Sequence, residues 1–138
     1  MRTYLALTLL LAILPVSQLH AAEEEAKQEG PKKALYHPIS EKFVVNVQDG
    51  SKMRFMQLKV QAMTREERVG EAIEANIPAL THTMIMLLTQ QDAATMRDLQ
   101  GREQVRAQAL SELQKVLGEV AGLNEGLEAV YFTDFVIQ

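Results

Sequence analysis

The alternation of hydrophobic and polar positions sets the plan of this chain. Phe43, Val45 and Val47 alternate with Val44 and Asn46, a period of two that predicts a strand. Asp49-Gly50 then supplies the positive φ of a tight turn, so a hairpin follows. In the second run, Met53 to Met63, the side chains of Met56, Leu58, Val60 and Ala62 share one face, while Gln57, Lys59 and Gln61 share the other. One buried face and one wet face is what an antiparallel sheet allows. The period then changes. Val69, Ile73, Ile77, Leu80, Met84 and Leu87 or Leu88 recur at spacings of three and four, predicting an amphipathic helix with Glu66 and Glu67 in its first turn. Pro78 lies inside this pattern and predicts a kink or break. "TQQD", Thr89 to Asp92, fits an N-cap followed by an acid, opening a short helix through Met96 or Leu99. Gly101 punctuates, and helical spacing resumes through Val105, Ala109, Leu113, Val116 or Leu117, and Val120, until Gly122, Asn124 and Gly126 end it. Last comes a strand from Leu127 to Ile137. Alternation puts Tyr131, Thr133, Phe135 and Ile137 on one face and Val130, Phe132 and Val136 on the other. Both faces are apolar, which predicts helices on one side and shielding on the other.

Strand, strand, helices and strand, without a strand–helix–strand rhythm, predict an α+β fold: a small antiparallel-rich sheet with two to three helices packed on one face. This unit spans residues 35–138, with His37-Pro38 favouring an extended start. Residues 23–34 form a polar linker: charged, free of aromatics and closed by Gly30-Pro31, they have too little apolar surface to order themselves. Residues 1–22 read as a signal peptide or a short membrane anchor. Arg2 precedes an apolar run from Tyr4 to Leu14, Pro15 breaks it, and Ala21 offers a small residue for cleavage. A run of about 11 residues is short of the roughly 20 a spanning helix needs, which favours cleavage. Under either alternative the rest of the chain lies outside the cytoplasm.

Composition narrows the chemistry. The 138 residues contain no cysteine, which removes thiol catalysis, zinc–thiolate and iron–sulfur sites. A net charge of −4, with no Trp and few other aromatics, is a poor basis for nucleic-acid binding. Of the three histidines, only His82 falls within a predicted helix or strand, and no His, Asp or Glu stands three or four residues away to complete a metal face. There is no Gly-x-Ser-x-Gly, and no phosphate-cradling glycine loop. Glu66-Glu67 and Glu71/Glu74 read as a solvated stripe. No catalytic, cofactor or metal site is readable, and the expectation is a non-enzymatic protein without a cofactor.

Two features suit interaction instead. "MIMLL", Met84 to Leu88, is apolar around most of its helix, so Met84, Ile85 and Met86 are candidates for a contact patch of adaptable side chains. A small sheet also leaves edges, and strands carrying Phe43 and Val45 or Phe135 and Ile137 are candidates for pairing across subunits.

The order of residues itself resembles a known family. "LYHPISEKFVVNV", "RFMQLKVQAM", "NIPALTHTMIMLL", Gly-Arg-Glu-x-Val-Arg at Gly101 to Arg106, and a closing "VYFTDFVIQ" are similar, as an ordered set over residues 35–138, to the FliL family of the flagellar basal body. The resemblance implies a stomatin-like domain on the periplasmic side of the bacterial inner membrane, forming a homo-oligomer or ring. It implies partners in the MotA/MotB-like stator complex and the basal body, support of motility under load, and no enzymatic activity or cofactor. Two departures accompany it: the short apolar run at the start, and Ala79-Leu80-Thr81-His82 after Pro78 where a charged stretch is expected. They suit a soluble periplasmic variant or a specialised paralogue. The alternative function is a free periplasmic binding module or assembly chaperone not tied to torque.

Overall fold

A computed structural model describes residues 30–138; the readings of residues 1–22 and of the first part of the linker lie outside the described residues. Strand β1 (Leu35–Asp49) turns at Gly50, φ +62°, into β2 (Lys52–Thr64). Four helices follow: α1 (Glu67–Ala75), α2 (Ile77–Thr89), α3 (Ala93–Arg97) and α4 (Leu99–Ala121). Strand β3 (Leu127–Ile137) returns to complete a three-stranded antiparallel sheet in the order β1-β2-β3. The fold is α+β as predicted, with four helices where two to three were expected.

The core is the layer between sheet and helices. Phe43, Val45 and Val47 of β1 and Met56, Leu58, Val60 and Ala62 of β2 are buried, matching the alternation in the sequence. Against them pack Val69 and Ile73 of α1, Leu80, Met84 and Leu88 of α2, and Val105, Ala109, Leu113 and Leu117 of α4. The spacing of four in α4 turns one apolar stripe, Val105, Ala109, Leu113 and Leu117, into the core.

Helix ends follow local chemistry. The break comes at Asn76, whose backbone N–H donates to the Ile73 carbonyl at 3.1 Å, so Pro78 falls in the first turn of α2, where no intrahelical donor is lost. The N-cap of α3 is Asp92, not Thr89: its carboxylate accepts the Thr95 N–H at 2.7 Å. Thr89 ends α2 instead, with its hydroxyl donating back to the Ile85 carbonyl at 2.9 Å. Gly101 does not punctuate either. It sits in the first turn of α4, capped by Asp98 at 2.8 Å, and a Cβ there would meet the Thr95 carbonyl oxygen at 2.5 Å. Its role is close passage of α4 over α3, and Asp98 carries the boundary.

In β3 the simple alternation fails. Lys59 pairs with Thr133, but Gln57 pairs with Val136, so two residues of β3 oppose one of β2. This bulge centres on Asp134, φ +51°, and swaps the faces beyond it. Phe132, Phe135 and Ile137 therefore all pack against the core, and Tyr131, Thr133 and Val136 point outward. The predicted grouping of Tyr131 and Thr133 with Phe135 and Ile137 is corrected accordingly.

Candidate functional site

Several charged side chains in this domain brace its structure. Asp49, at the end of β1, accepts two hydrogen bonds from the Arg97 guanidinium at 3.1 Å each and one from Arg54 at 3.2 Å. The Arg97 contact, chiefly, holds its carboxyl below the usual carboxylate range and holds the guanidinium more firmly protonated. Lys59 lies 2.7 Å from Asp134, which raises the ammonium pKa. Arg65 pairs with Glu128, and Arg106 with Glu103 at 2.8 Å. Among the described residues, no group of three or more His, Asp or Glu side chains could hold a metal ion.

The histidines are placed quietly. His82 lines a shallow groove of about 300 Å³ between α2 and α4, beside Met86 and Glu112. His37 lies against Gly70 of α1, where a Cβ would meet its Nε2 at 2.6 Å, and its Nδ1 lies 2.9 Å from a Glu74 carboxylate oxygen. A carboxylate only accepts, so in the neutral ring Nδ1 donates. That leaves Nε2, which is buried without a partner, as the bare nitrogen. The pair latches the start of β1 to α1.

The residues predicted as an interaction surface are scattered. Met84, Phe43 and Val45 are buried in the core between sheet and helices. Ile85 and Met86 are exposed on α2, one on either side of its buried stripe. Ile85 borders a groove of about 550 Å³ against β1, with Thr81, Thr89, Lys42 and Val44. Phe135 and Ile137 are half-buried, and the Arg102 guanidinium lies 4.8 Å above the Phe135 ring.

Neither edge is a clean template for strand addition. β1 carries register shifts between Pro38 and Ser40 and between Ser40 and Phe43, and its far end bridges to Asp92 through Gln48. On β3 the carbonyls of Leu127 and Val130 accept from Gln114 at 2.8 Å and Arg106 at 3.2 Å, and Asp134 bends the rest. Bulges and covered carbonyls are how sheets blunt their edges.

The face of the sheet away from the helices is open. It presents Tyr36 and Val44 from β1, Met53 and Phe55 from β2, and Tyr131 and Val136 from β3. The Tyr36 and Tyr131 rings, 6.1 Å apart at 50°, face each other across β2, beside Met63, which is buried on this side.

Two comparisons bear on identity. The family model described as flagellar basal body-associated protein FliL matches residues 36–138. The chain belongs to the FliL family. It is also 25% identical over 108 residues to a protein named flagellar protein FliL from Aquifex aeolicus (strain VF5), an alignment covering 78% of this chain and 64% of that relative. The chain therefore spans just under two thirds of the relative's length. The matched FliL segment begins one residue inside β1 and runs through β3, so both edges and the open face belong to the family unit. No helix among the described residues is long and apolar enough to cross a membrane.

What sequence reasoning missed in this FliL domain is the open face. On β2 the alternation makes Gln57, Lys59 and Gln61 the wet face, but Met53, Phe55 and Met63 share that side. Four register shifts, two on each flanking strand, interrupt the alternation, and period-two counting does not register a bulge. One signal was present: Phe55 breaks the polar series that Gln57, Lys59 and Gln61 continue.

Proposed function

We propose that this chain is a non-enzymatic accessory of the flagellar basal body that acts through its surfaces. The observation that carries the proposal is the match of the FliL family across the whole described domain. The domain works on the periplasmic side of the inner membrane, tethered or released according to the fate of residues 1–22. It has a stomatin-like shape, self-associates, and bears on MotA/MotB-like stator units to keep them active under load. Charged groups that pair with one another to brace strands and helix ends, as at Asp49 and Lys59, support this reading. Removing the gene from the source strain tests it. The expected result is normal flagellation with swimming that fails as medium viscosity rises, restored by the full chain. Unchanged motility at every viscosity contradicts the proposal and leaves the free periplasmic binding module or chaperone.

A further inference from the structure

Packing accounts for most of the segment Gly101 to Arg106. Gly101 lets α4 pass close to Thr95, and Val105 is buried in the core. Arg106 pairs with Glu103 at 2.8 Å and donates to the Val130 carbonyl at 3.2 Å, so both side chains are committed to the join between α4 and β3. Arg102 is left over. It is half-buried, with its guanidinium 4.8 Å from the centre of the Phe135 ring, and among the described residues it has no hydrogen-bond or ion-pair partner. Stacking on a ring engages the flat face of a guanidinium and leaves the N–H groups around its edge without acceptors. Backbone strain puts that ring in place. Asp134 has the one positive φ outside glycine among the described residues, and the bulge there turns Phe135 from the open face to the helix side.

Arg102 borders a groove of about 590 Å³ between α4 and β3, a volume typical of ligand clefts. Leu110, Ala129 and Phe132 give the groove an apolar lining, and Glu103 and Glu128 border it too. Both acids are already paired, Glu103 with Arg106 and Glu128 with Arg65, so the unmatched charge in the groove is the positive one of Arg102. We propose that this groove binds an extended acidic segment of a partner protein, one Asp or Glu carboxylate of which is held by Arg102 while a neighbouring apolar side chain lies against Leu110 and Phe132. A carboxylate matches the guanidinium fork with two parallel hydrogen bonds. A phosphate carries nearly twice the charge and is opposed by the two glutamates. Side chains do the recognition, because the Leu127 and Val130 carbonyls of this sheet edge already accept from Gln114 and Arg106. The inference rests on the reading that the domain acts through its surfaces and names the ligand chemistry of one of them. Peptide binding is measured apart from motility, so the two can fail separately.

The test follows the isotope-labelled full chain by NMR while the capped peptide acetyl-Leu-Glu-Leu-amide is added. The amides of Arg102, Arg106 and Ala129 to Phe132 are expected to shift, with a Kd on the order of 1 mM. Acetyl-Leu-Gln-Leu-amide lacks only the charge and is expected to bind at least about tenfold more weakly. Arg102→Gln is expected to lose the preference for Glu over Gln while its spectrum shows an intact fold. Arg102→Lys, which keeps the charge without the fork, is expected to retain part of that preference. An Arg102 that serves stability alone would leave the preference unmoved. Equal affinity for the two peptides, a preference that survives Arg102→Gln, or no shift up to about 10 mM peptide overturns the proposal. Displacement of the peptide by inorganic phosphate at about a tenth of its concentration overturns it in favour of a phosphate site. Shifts of the same amides with protein concentration alone, abolished by Arg102→Gln, overturn it in favour of a second copy of the chain.

Discussion

Thr64 is a buried polar side chain where β2, α1 and the loop before β3 meet. Its hydroxyl donates to the Gly126 carbonyl at 2.6 Å and accepts the Glu66 N–H at 3.0 Å, joining segments 62 residues apart. Thr64→Val keeps the shape and removes both bonds. Each bond contributes about 1 kcal/mol, and stranding a partly buried carbonyl and an amide adds to that, so the expected loss is roughly 2–3 kcal/mol. Thr64→Ser keeps the hydroxyl and loses one methyl, at about 1 kcal/mol. Urea unfolding followed by far-ultraviolet circular dichroism measures both. The expected order of midpoints is wild type, Thr64→Ser, Thr64→Val, with a common slope. For a domain of this size the Thr64→Val deficit corresponds to a fall in Tm of roughly 10 °C or more. If Thr64→Val is as stable as Thr64→Ser or more so, the hydroxyl does not clamp this junction.

Three further outcomes follow from particular contacts. Asp49 has its carboxyl pKa depressed, chiefly by Arg97, so its contribution is present above the unfolded carboxylate pKa of about 3.9 and disappears as pH falls through the folded value. Wild type is therefore expected to exceed Asp49→Asn in urea midpoint by a constant margin from about pH 7 to pH 5, with the gap closing below about pH 4; a constant gap down to pH 2 would refute it. Gly126 has φ +99°, and a Cβ there would lie 2.6 Å from Val69 Cγ2, so Gly126→Ala is expected to cost roughly 2–3 kcal/mol by the same unfolding assay. Truncation after Tyr131 removes Phe132, Phe135 and Ile137, which pack on the core, and is expected to abolish cooperative melting; a truncated chain that melts within a few degrees of wild type contradicts the packing.

The last strand shows how far the sequence could be read. "VYFTDFVIQ" announced a strand, and a strand it is, held at its end by Gln138, which exchanges backbone hydrogen bonds with Phe55 at 2.8 and 2.9 Å. The strand is an edge, yet it buries Leu127 and Val130 and half-buries Phe132, Phe135 and Ile137 against the core. The bulge at Asp134 makes that possible, and Asp, which tolerates positive φ better than most residues, is a weak marker of one. Helix faces were legible because spacing alone fixes them, as Val105, Ala109, Leu113 and Leu117 show. Caps were less so: Thr89 and Asp92 are both capable N-caps, and three-dimensional packing chose the second. The apolar run Met84 to Leu88 divided between core and surface, because burial depends on which neighbours a helix finds.

The central claim is that this FliL-family domain acts at the flagellar basal body. It is tested most directly by isolating basal bodies from the source strain and probing the fractions with an antibody against residues 36–138. The account predicts that the chain travels with the basal bodies and leaves those fractions in a strain unable to assemble them. Recovery in the same fractions from cells without basal bodies, or only away from them in wild type, would contradict it.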